Sequence, residues 1–66
     1  MAFTQEERTA IRRKLLETAR QCAATLGVRK TTVDQLVEAA DISKGAFYQF
    51  YASKECIFLD VLEQLH

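Results

Sequence analysis

The link between two short helical stretches constrains the fold of this chain more than any other feature of its sequence. Apolar residues recur with helical spacing over residues 33–40, and a second helical stretch runs from residue 44 to about residue 50. Only Asp41, Ile42 and Ser43 lie between them. A link this short joins two helices at a steep angle, as in a helix-turn-helix. Ser43 is a good N-cap for the second helix, and Ile42 is expected to point inward and hold the two helices together.

A long first helix is predicted to precede this pair. Thr4 and Glu7 have the spacing of a capping box, in which side chains and backbone N–H groups at a helix start satisfy each other. The apolar stripe that follows comprises Ile11, Leu15, Ala19, Cys22, Ala23 and Leu26. Gly27 is expected to end the helix, because glycine readily adopts the left-handed conformation. Thr32 and Gln35 repeat the capping pattern at the start of the second helix.

A fourth helix is predicted after a short break at Tyr51 and Ala52. Ser53 is its expected N-cap. Its apolar stripe comprises Ile57, Phe58, Val61, Leu62 and Leu65. The pattern is still running at His66, so the fourth helix is expected to be truncated. The sequence shows no strand pattern, and it therefore predicts one all-α domain of four helices spanning residues 1–66.

The hydrophobic pattern argues against a membrane protein. The longest uninterrupted apolar run is Cys56–Leu59, far short of the roughly 20 residues that a membrane span needs. The segment Met1–Glu7 is acidic where a signal peptide would be basic, and no long apolar run follows it. We therefore expect a cytoplasmic protein that is soluble and has no membrane partner.

No arrangement of residues in the sequence predicts a catalytic or metal site. Cys22 and Cys56 are far apart and have no second Cys or His at the short spacing typical of zinc ligands. Both fall on predicted apolar faces, where a free thiol behaves as a small hydrophobe. There is no Ser, His and Asp set, and the chain is too short to shape a closed pocket. We expect neither an enzyme nor a cofactor.

Charge is unevenly distributed along a chain whose formal net charge is zero. Residues 1–30 carry seven basic side chains against three acids, whereas residues 31–66 carry two against six. The stretch 43–54 nevertheless contains both of these two lysines, Lys44 and Lys54, and no acid. A local basic surface of this kind can dock on the phosphates of a nucleic acid, with a modest electrostatic contribution.

The start of the third helix has features that suit a phosphate. Ser43, Lys44 and Gly45 combine free backbone N–H groups, the positive end of a helix dipole and a cation. Gly45 weakens a short helix by about 1 kcal/mol relative to alanine, and the close approach of a DNA groove would explain its presence. Tyr48 lies one turn beyond Lys44, where its hydroxyl can reach a phosphate, and Lys54 adds a second cation near the same edge.

Three segments after the first helix form a specific combination. They read Thr31-Thr32-Val33, Ile42-Ser43-Lys44-Gly45-Ala46-Phe47-Tyr48 and Ser53-Lys54-Glu55. Each segment alone is a weak signal, whereas all three at this spacing are specific. With the pattern of the first helix, they make the chain resemble the N-terminal DNA-binding domain of the TetR family of bacterial transcriptional regulators. The resemblance covers about residues 8–65.

This resemblance implies a homeodomain-like fold in which the second and third helices form the helix-turn-helix and the third lies in the major groove. By position, Lys44 and Gly45 would lie at base edges or adjoining phosphates, and Tyr48 would contact the backbone. Lys54 would contact a phosphate from the start of the fourth helix, and Thr31 or Thr32, at the start of the second helix, would do so from the other side. The candidate DNA-binding residues are Thr31, Thr32, Ser43, Lys44, Gly45, Ala46, Tyr48, Gln49 and Lys54.

The resemblance also implies what a full-length protein would do. Family members add a C-terminal helical domain that dimerises and binds a small molecule, and this domain is absent from the chain. The homodimer would read a pseudo-palindromic operator in double-stranded DNA, with half-sites about one helical turn apart or a multiple of it. The small-molecule inducer would release the DNA, so the expected role is a repressor of transcription.

Five positions depart from the usual family pattern. Asp41 replaces a glycine, Phe50 a histidine and Tyr51 a phenylalanine. Ala46 replaces a threonine, which removes one hydroxyl that would bind phosphate. Gln49 stands where many members have another aromatic or polar contact, and it could read adenine by paired hydrogen bonds. These departures leave the expected fold unchanged and alter the pattern of base contacts.

A different class of function remains open from the sequence. A small helical module that binds another protein would explain the zero net charge and the open apolar stripe of the fourth helix. Salt dependence separates the two hypotheses, because binding to phosphates weakens steeply as salt rises whereas apolar docking does not.

Overall fold

The computed structural model describes residues 3–64, and these residues form four α-helices and no strand. The helices are α1 (Gln5–Thr25), α2 (Val33–Ala40), α3 (Lys44–Phe50) and α4 (Lys54–Glu63). The long helix α1 contacts both α2 and α4, and α2 contacts α3. The predicted all-α class and the predicted order of helices are therefore confirmed within this range.

Helix α1 begins at the capping box that the sequence predicts. The Glu7 amide donates a hydrogen bond to the Thr4 hydroxyl at 3.1 Å, and the Thr4 amide donates one to the Glu7 carboxylate at 2.9 Å. The bond from the Thr4 amide is the main reason that the pKa of Glu7 lies below its usual value. The helix ends at Thr25 with Leu26 as its C-cap, and Gly27 follows with a φ of 87°, a left-handed conformation that glycine adopts without strain.

The turn between α2 and α3 is closed by backbone and side-chain hydrogen bonds. Asp41 is the C-cap of α2 and lies in the left-handed region, with φ 58° and ψ 47°, which Asp tolerates better than most residues. The Ile42 amide donates to the Val37 carbonyl at 3.0 Å, and the half-buried Ile42 side chain packs against the core. Ser43 caps α3 by accepting a bond from the Ala46 amide at 3.0 Å. The predicted turn, including the inward Ile42, is confirmed.

One fully buried side chain from each helix forms the centre of the core. These four residues are Leu15, Leu36, Phe47 and Ile57. Burial of each such side chain contributes about 1.5–3 kcal/mol relative to exposure. Phe47 therefore holds the short helix α3 against the rest of the domain.

A polar contact joins α4 to α1 and to the turn after α3. The Asp60 carboxylate accepts hydrogen bonds from the Tyr51 hydroxyl at 2.8 Å and from the Arg12 guanidinium at 3.2 Å. The Tyr51 bond, followed by the Arg12 bond, lowers the pKa of Asp60. Burial raises the pKa of Tyr51, so its hydroxyl remains protonated and able to donate. Arg12 of α1 thus has a structural partner in α4.

Three predicted core positions are wrong. Leu26 is 45% exposed, Leu62 is 59% exposed, and Cys56 is also exposed. The buried face of α4 consists of Ile57, Phe58 and Val61. At about 100° per residue, Cys56 points away from that face and Leu62 lies at its edge. Leu26 follows a helix about 31 Å long, which the much shorter α2 and α4 cover only in part. The predicted Leu65 lies outside the described residues.

Candidate nucleic-acid interface

Helix α3 has one exposed face and one buried face. Five predicted contact residues are exposed and define what we call the α3 face: Ser43, Lys44, Gly45, Tyr48 and Gln49. Tyr48 is 50% exposed, and its ring packs edge-on against the buried Phe47 ring with a centroid distance of 5.3 Å. The core therefore orients Tyr48 and leaves half of its surface available to another molecule.

Gly45 lies in the first turn of α3 with open space in front of it. A Cβ at this position would meet only the Ser43 hydroxyl oxygen, at 4.0 Å. Gly45 also has an ordinary helical conformation, unlike the left-handed Gly27. The fold therefore does not require glycine at position 45, and the missing side chain allows close approach of another surface.

Two of the predicted contact residues have buried side chains. Ala46 is 8% exposed and faces the core side of α3. Thr31 is fully buried, and its hydroxyl donates to the Gly27 carbonyl at 2.8 Å. Thr32 is exposed and caps α2 by accepting a bond from a first-turn amide at 3.2 Å. Of the two candidates for the predicted phosphate contact, Thr31 and Thr32, only Thr32 is thus accessible at the surface.

Lys54 lies at the start of α4, and its ammonium group contacts the connection between α1 and α2. Its Nζ donates to the backbone carbonyls of Thr31 at 2.8 Å, Val28 at 3.1 Å and Arg29 at 3.2 Å. An ammonium group has three N–H donors, so these bonds use all of them. The predicted contact of Lys54 with phosphate stays a prediction, and it would require the exchange of at least one of these bonds.

Lys44 is exposed on the α3 face and forms an ion pair with Asp34 in the first turn of α2. The distance from Nζ to Oδ1 is 2.8 Å. The hydrogen bond to Asp34, and then its negative charge, raises the pKa of Lys44. Sequence reasoning missed this pair, because its members lie in different helices and the spacing rules for one helix do not relate them.

A second basic surface lines an open groove of about 630 Å³ beside α1. Four arginines of α1 line it, together with apolar side chains from α1, α3 and α4: Arg8, Arg12, Arg13, Arg20, Leu16, Phe50 and Val61. The Arg8 guanidinium stacks over the Phe50 ring at 4.8 Å from its centroid. The sequence shows only a row of basic residues here, since the groove forms only when α4 lies beside α1.

The described part of the chain offers no metal site and no membrane-spanning helix. Within residues 3–64, no three His, Cys, Asp or Glu side chains are grouped so that they could hold a metal ion. No helix in this range combines the length and apolar character needed to cross a bilayer. Cys22 and Cys56 are free thiols, half-buried and exposed respectively.

Comparison with known proteins identifies a family for this chain. A model of the family described as bacterial regulatory proteins, tetR family, matches residues 15–61. These residues run from the middle of α1 through α2 and α3 to near the end of α4, so they include the whole α3 face. No solved structure matches the chain.

Several curated relatives are named as transcriptional regulators. The uncharacterised HTH-type transcriptional regulator YuxN of Bacillus subtilis is 40% identical over 48 residues, covering 73% of this chain and 16% of the relative. The probable acrEF/envCD operon repressor of Escherichia coli K12 is 36% identical over 55 residues, covering 83% and 25%. The repressor AcnR of Corynebacterium glutamicum is 41% identical over 51 residues, covering 77% and 27%. The chain therefore spans between 16% and 27% of the length of these relatives.

Proposed function

The chain belongs to the tetR family of bacterial regulatory proteins, and we propose on that basis that it binds double-stranded DNA through the α3 face. The observation that carries the proposal is Gly45, an exposed helical glycine that the fold does not need. It lies next to Lys44 and one turn from Tyr48. A bare strip of backbone flanked by a cation and a phenol suits entry into a major groove.

We further infer that the chain is the head of a longer cytoplasmic regulator. The relatives are several times longer than the part that matches, and two are named as repressors. A C-terminal domain would dimerise and bind a small-molecule inducer, and the dimer would read a pseudo-palindromic operator. The isolated head should bind DNA weakly, because it lacks the gain in effective concentration that a second linked head provides.

The exposed residues take two kinds of contact in this proposal. Tyr48 and Thr32 contact phosphates, so Tyr48→Phe should weaken binding to all DNA sequences by a similar factor. Lys44 and Gln49 reach base edges, so substituting either should change which sequences are preferred. Sequence selection from a random duplex pool measures both effects, and an unchanged preference would contradict the assigned base contacts.

Gly45→Ala provides a sharp test because fold stability and DNA binding should move in opposite directions. Alanine gains up to about 1 kcal/mol of helix propensity without a clash, which corresponds to a rise in Tm of about 4–8 °C. The added methyl group should nevertheless weaken binding to a duplex selected by the unsubstituted chain. Thermal melting followed by circular dichroism and fluorescence anisotropy titration measure the two quantities. Gln21→Ala, at an exposed position of α1, is the control and should leave binding unchanged.

A Gly45→Ala chain that is more stable and binds DNA equally well would contradict a close approach at the α3 face. The rival function, a module that binds another protein, would use the exposed leucines Leu59 and Leu62 of α4, which are 63% and 59% exposed. NMR titration with duplex DNA distinguishes the two. Salt-sensitive chemical-shift changes for residues of the α3 face support DNA binding. Unchanged chemical shifts for these residues favour the protein-binding module.

A further inference from the structure

The ion pair between Lys44 and Asp34 places a negative charge on the proposed DNA-binding surface. Lys44 is the first residue of α3, and Asp34 lies in the first turn of α2. Their side chains meet at 2.8 Å and remain 53% and 75% exposed. A surface that approaches Lys44 therefore also meets the Asp34 carboxylate.

This pair differs in place from the other ion pairs of residues 3–64. Arg12 pairs with Asp60 between α1 and α4, and Arg20 pairs with Glu17 along α1. Neither of those pairs includes a residue of the α3 face. The ammonium group of Lys54 is bonded to three backbone carbonyls, and Lys44 is the one basic residue within the α3 face itself.

We propose that Asp34 is a positioning residue that holds Lys44 and limits its binding to DNA phosphates. The inference rests on the proposed function, since it concerns the strength of the same DNA contact. A lysine already neutralised by a carboxylate gains little from a phosphate, and its transfer would leave Asp34 facing the DNA backbone. Neutralisation of Lys44 by Asp34 weakens its attraction to phosphate more than it weakens hydrogen bonds from Lys44 to base edges.

The ion pair should therefore lower the affinity for DNA of any sequence. Base contacts then supply a larger share of the binding free energy. Sequence-independent binding to DNA comes almost entirely from cations that displace counterions from phosphates. Specificity is the difference between the affinities for the preferred sequence and for other sequences. A group that weakens sequence-independent binding therefore raises specificity. The Asp34 carboxylate, which pairs with Lys44 at the start of α3, weakens sequence-independent binding in this way.

Asp34→Asn tests the inference, because the change in DNA affinity should have the opposite sign to the one expected if Asp34 were merely structural. The substitution removes a favourable negative charge from the first turn of α2, so it should slightly lower Tm. Loss of structure would weaken DNA binding. Release of Lys44 should instead tighten binding to a random-sequence 20-base-pair duplex by about fivefold at low salt, the order expected for two unit charges about 4 Å apart in water. The slope of log K against log salt should steepen by about 0.9.

Two further variants of the same chain complete the experiment. Glu17→Gln makes the same change in net charge and also frees an exposed basic partner, Arg20, so it controls for general electrostatic attraction. Asp34→Glu keeps the carboxylate and should restore weak binding. Fluorescence anisotropy titration at several salt concentrations reads all four chains.

The outcomes separate this inference from the proposed function. Tighter, more salt-dependent binding by Asp34→Asn, and not by Glu17→Gln, supports it. If the unsubstituted chain binds DNA and Asp34→Asn binds it equally well or more weakly, the inference is overturned. The proposed DNA binding itself is then unaffected. Equal tightening in Glu17→Gln overturns it as well, because net charge then explains the effect. An unsubstituted chain that binds no duplex at low salt overturns both.

Discussion

Replacing Lys54 by alanine should destabilise the domain, because its ammonium group joins α4 to the loop that precedes α2. The three acceptors are backbone carbonyls at 2.8, 3.1 and 3.2 Å, and the shortest bond, to Thr31, is partly buried. A hydrogen bond to a charged group contributes about 1.5–3 kcal/mol when shielded from water, and exposed ones contribute much less. The partly buried bond therefore dominates, and the expected loss is about 2 kcal/mol.

A loss of this size is large for so short a chain. In a domain of 60–100 residues each 1 kcal/mol shifts Tm by about 4–8 °C, so Lys54→Ala should lower Tm by about 8–16 °C. Circular dichroism at 222 nm during heating, at neutral pH and fixed salt, measures the shift. Lys54→Met retains most of the aliphatic stem and should lose nearly as much, since the bonds rather than the stem carry the effect.

The control is Lys14→Ala, which removes an exposed lysine from α1. It should change Tm by no more than about 2 °C, since surface substitutions usually have small effects. If Lys54→Ala melts within that range too, the three carbonyl bonds do not stabilise the fold. Lys54 would then be free to contact a DNA phosphate directly, as the family resemblance implies.

Three further substitutions test other parts of the structure by thermal melting. Asp60→Asn should cost stability at neutral pH and lose its effect in acid: Tyr51 and Arg12 lower the folded-state pKa of Asp60, so its contribution is present above its ordinary value near 3.9 and disappears as pH falls through the lowered pKa. Melting curves that stay equally far apart from pH 7 to pH 2 would contradict this. Gly27→Ala should cost about 1–2 kcal/mol, because its φ of 87° disfavours a side chain although no atom obstructs a Cβ; an unchanged Tm would show that the loop can relax. Thr31→Val should cost about 1 kcal/mol by removing the buried hydroxyl bond to the Gly27 carbonyl, and a more stable variant would refute that role.

The helix boundaries were predictable because each depends on groups close together in the chain. Thr4, Thr32, Ser43 and Ser53 each accept a bond from an amide three residues ahead, as the capping patterns predict. The left-handed conformation of Asp41 is likewise a local property. Contacts within one turn need no information about the rest of the fold.

The depth of burial was only partly predictable. Helical periodicity identified Leu15 and Ile57 as core residues, and both are fully buried. The same periodicity wrongly included Leu26 and Leu62, and it omitted the buried Leu16 from the stripe of α1. A stripe marks a face of one helix, whereas burial also requires a second helix to cover that face at that height.

The candidate interface shows the same division. The five residues of the α3 face were all predicted from the sequence as contacts, but the same prediction included Ala46, which is buried. The partners of Lys44 and Lys54 could not be predicted, since Asp34 and the carbonyls near Thr31 come from other helices and loops. The amino-acid sequence by itself determines where each helix begins and ends and which side of it is apolar. Which charges remain available to DNA depends on distances across the fold, and these exist only after the helices have packed together.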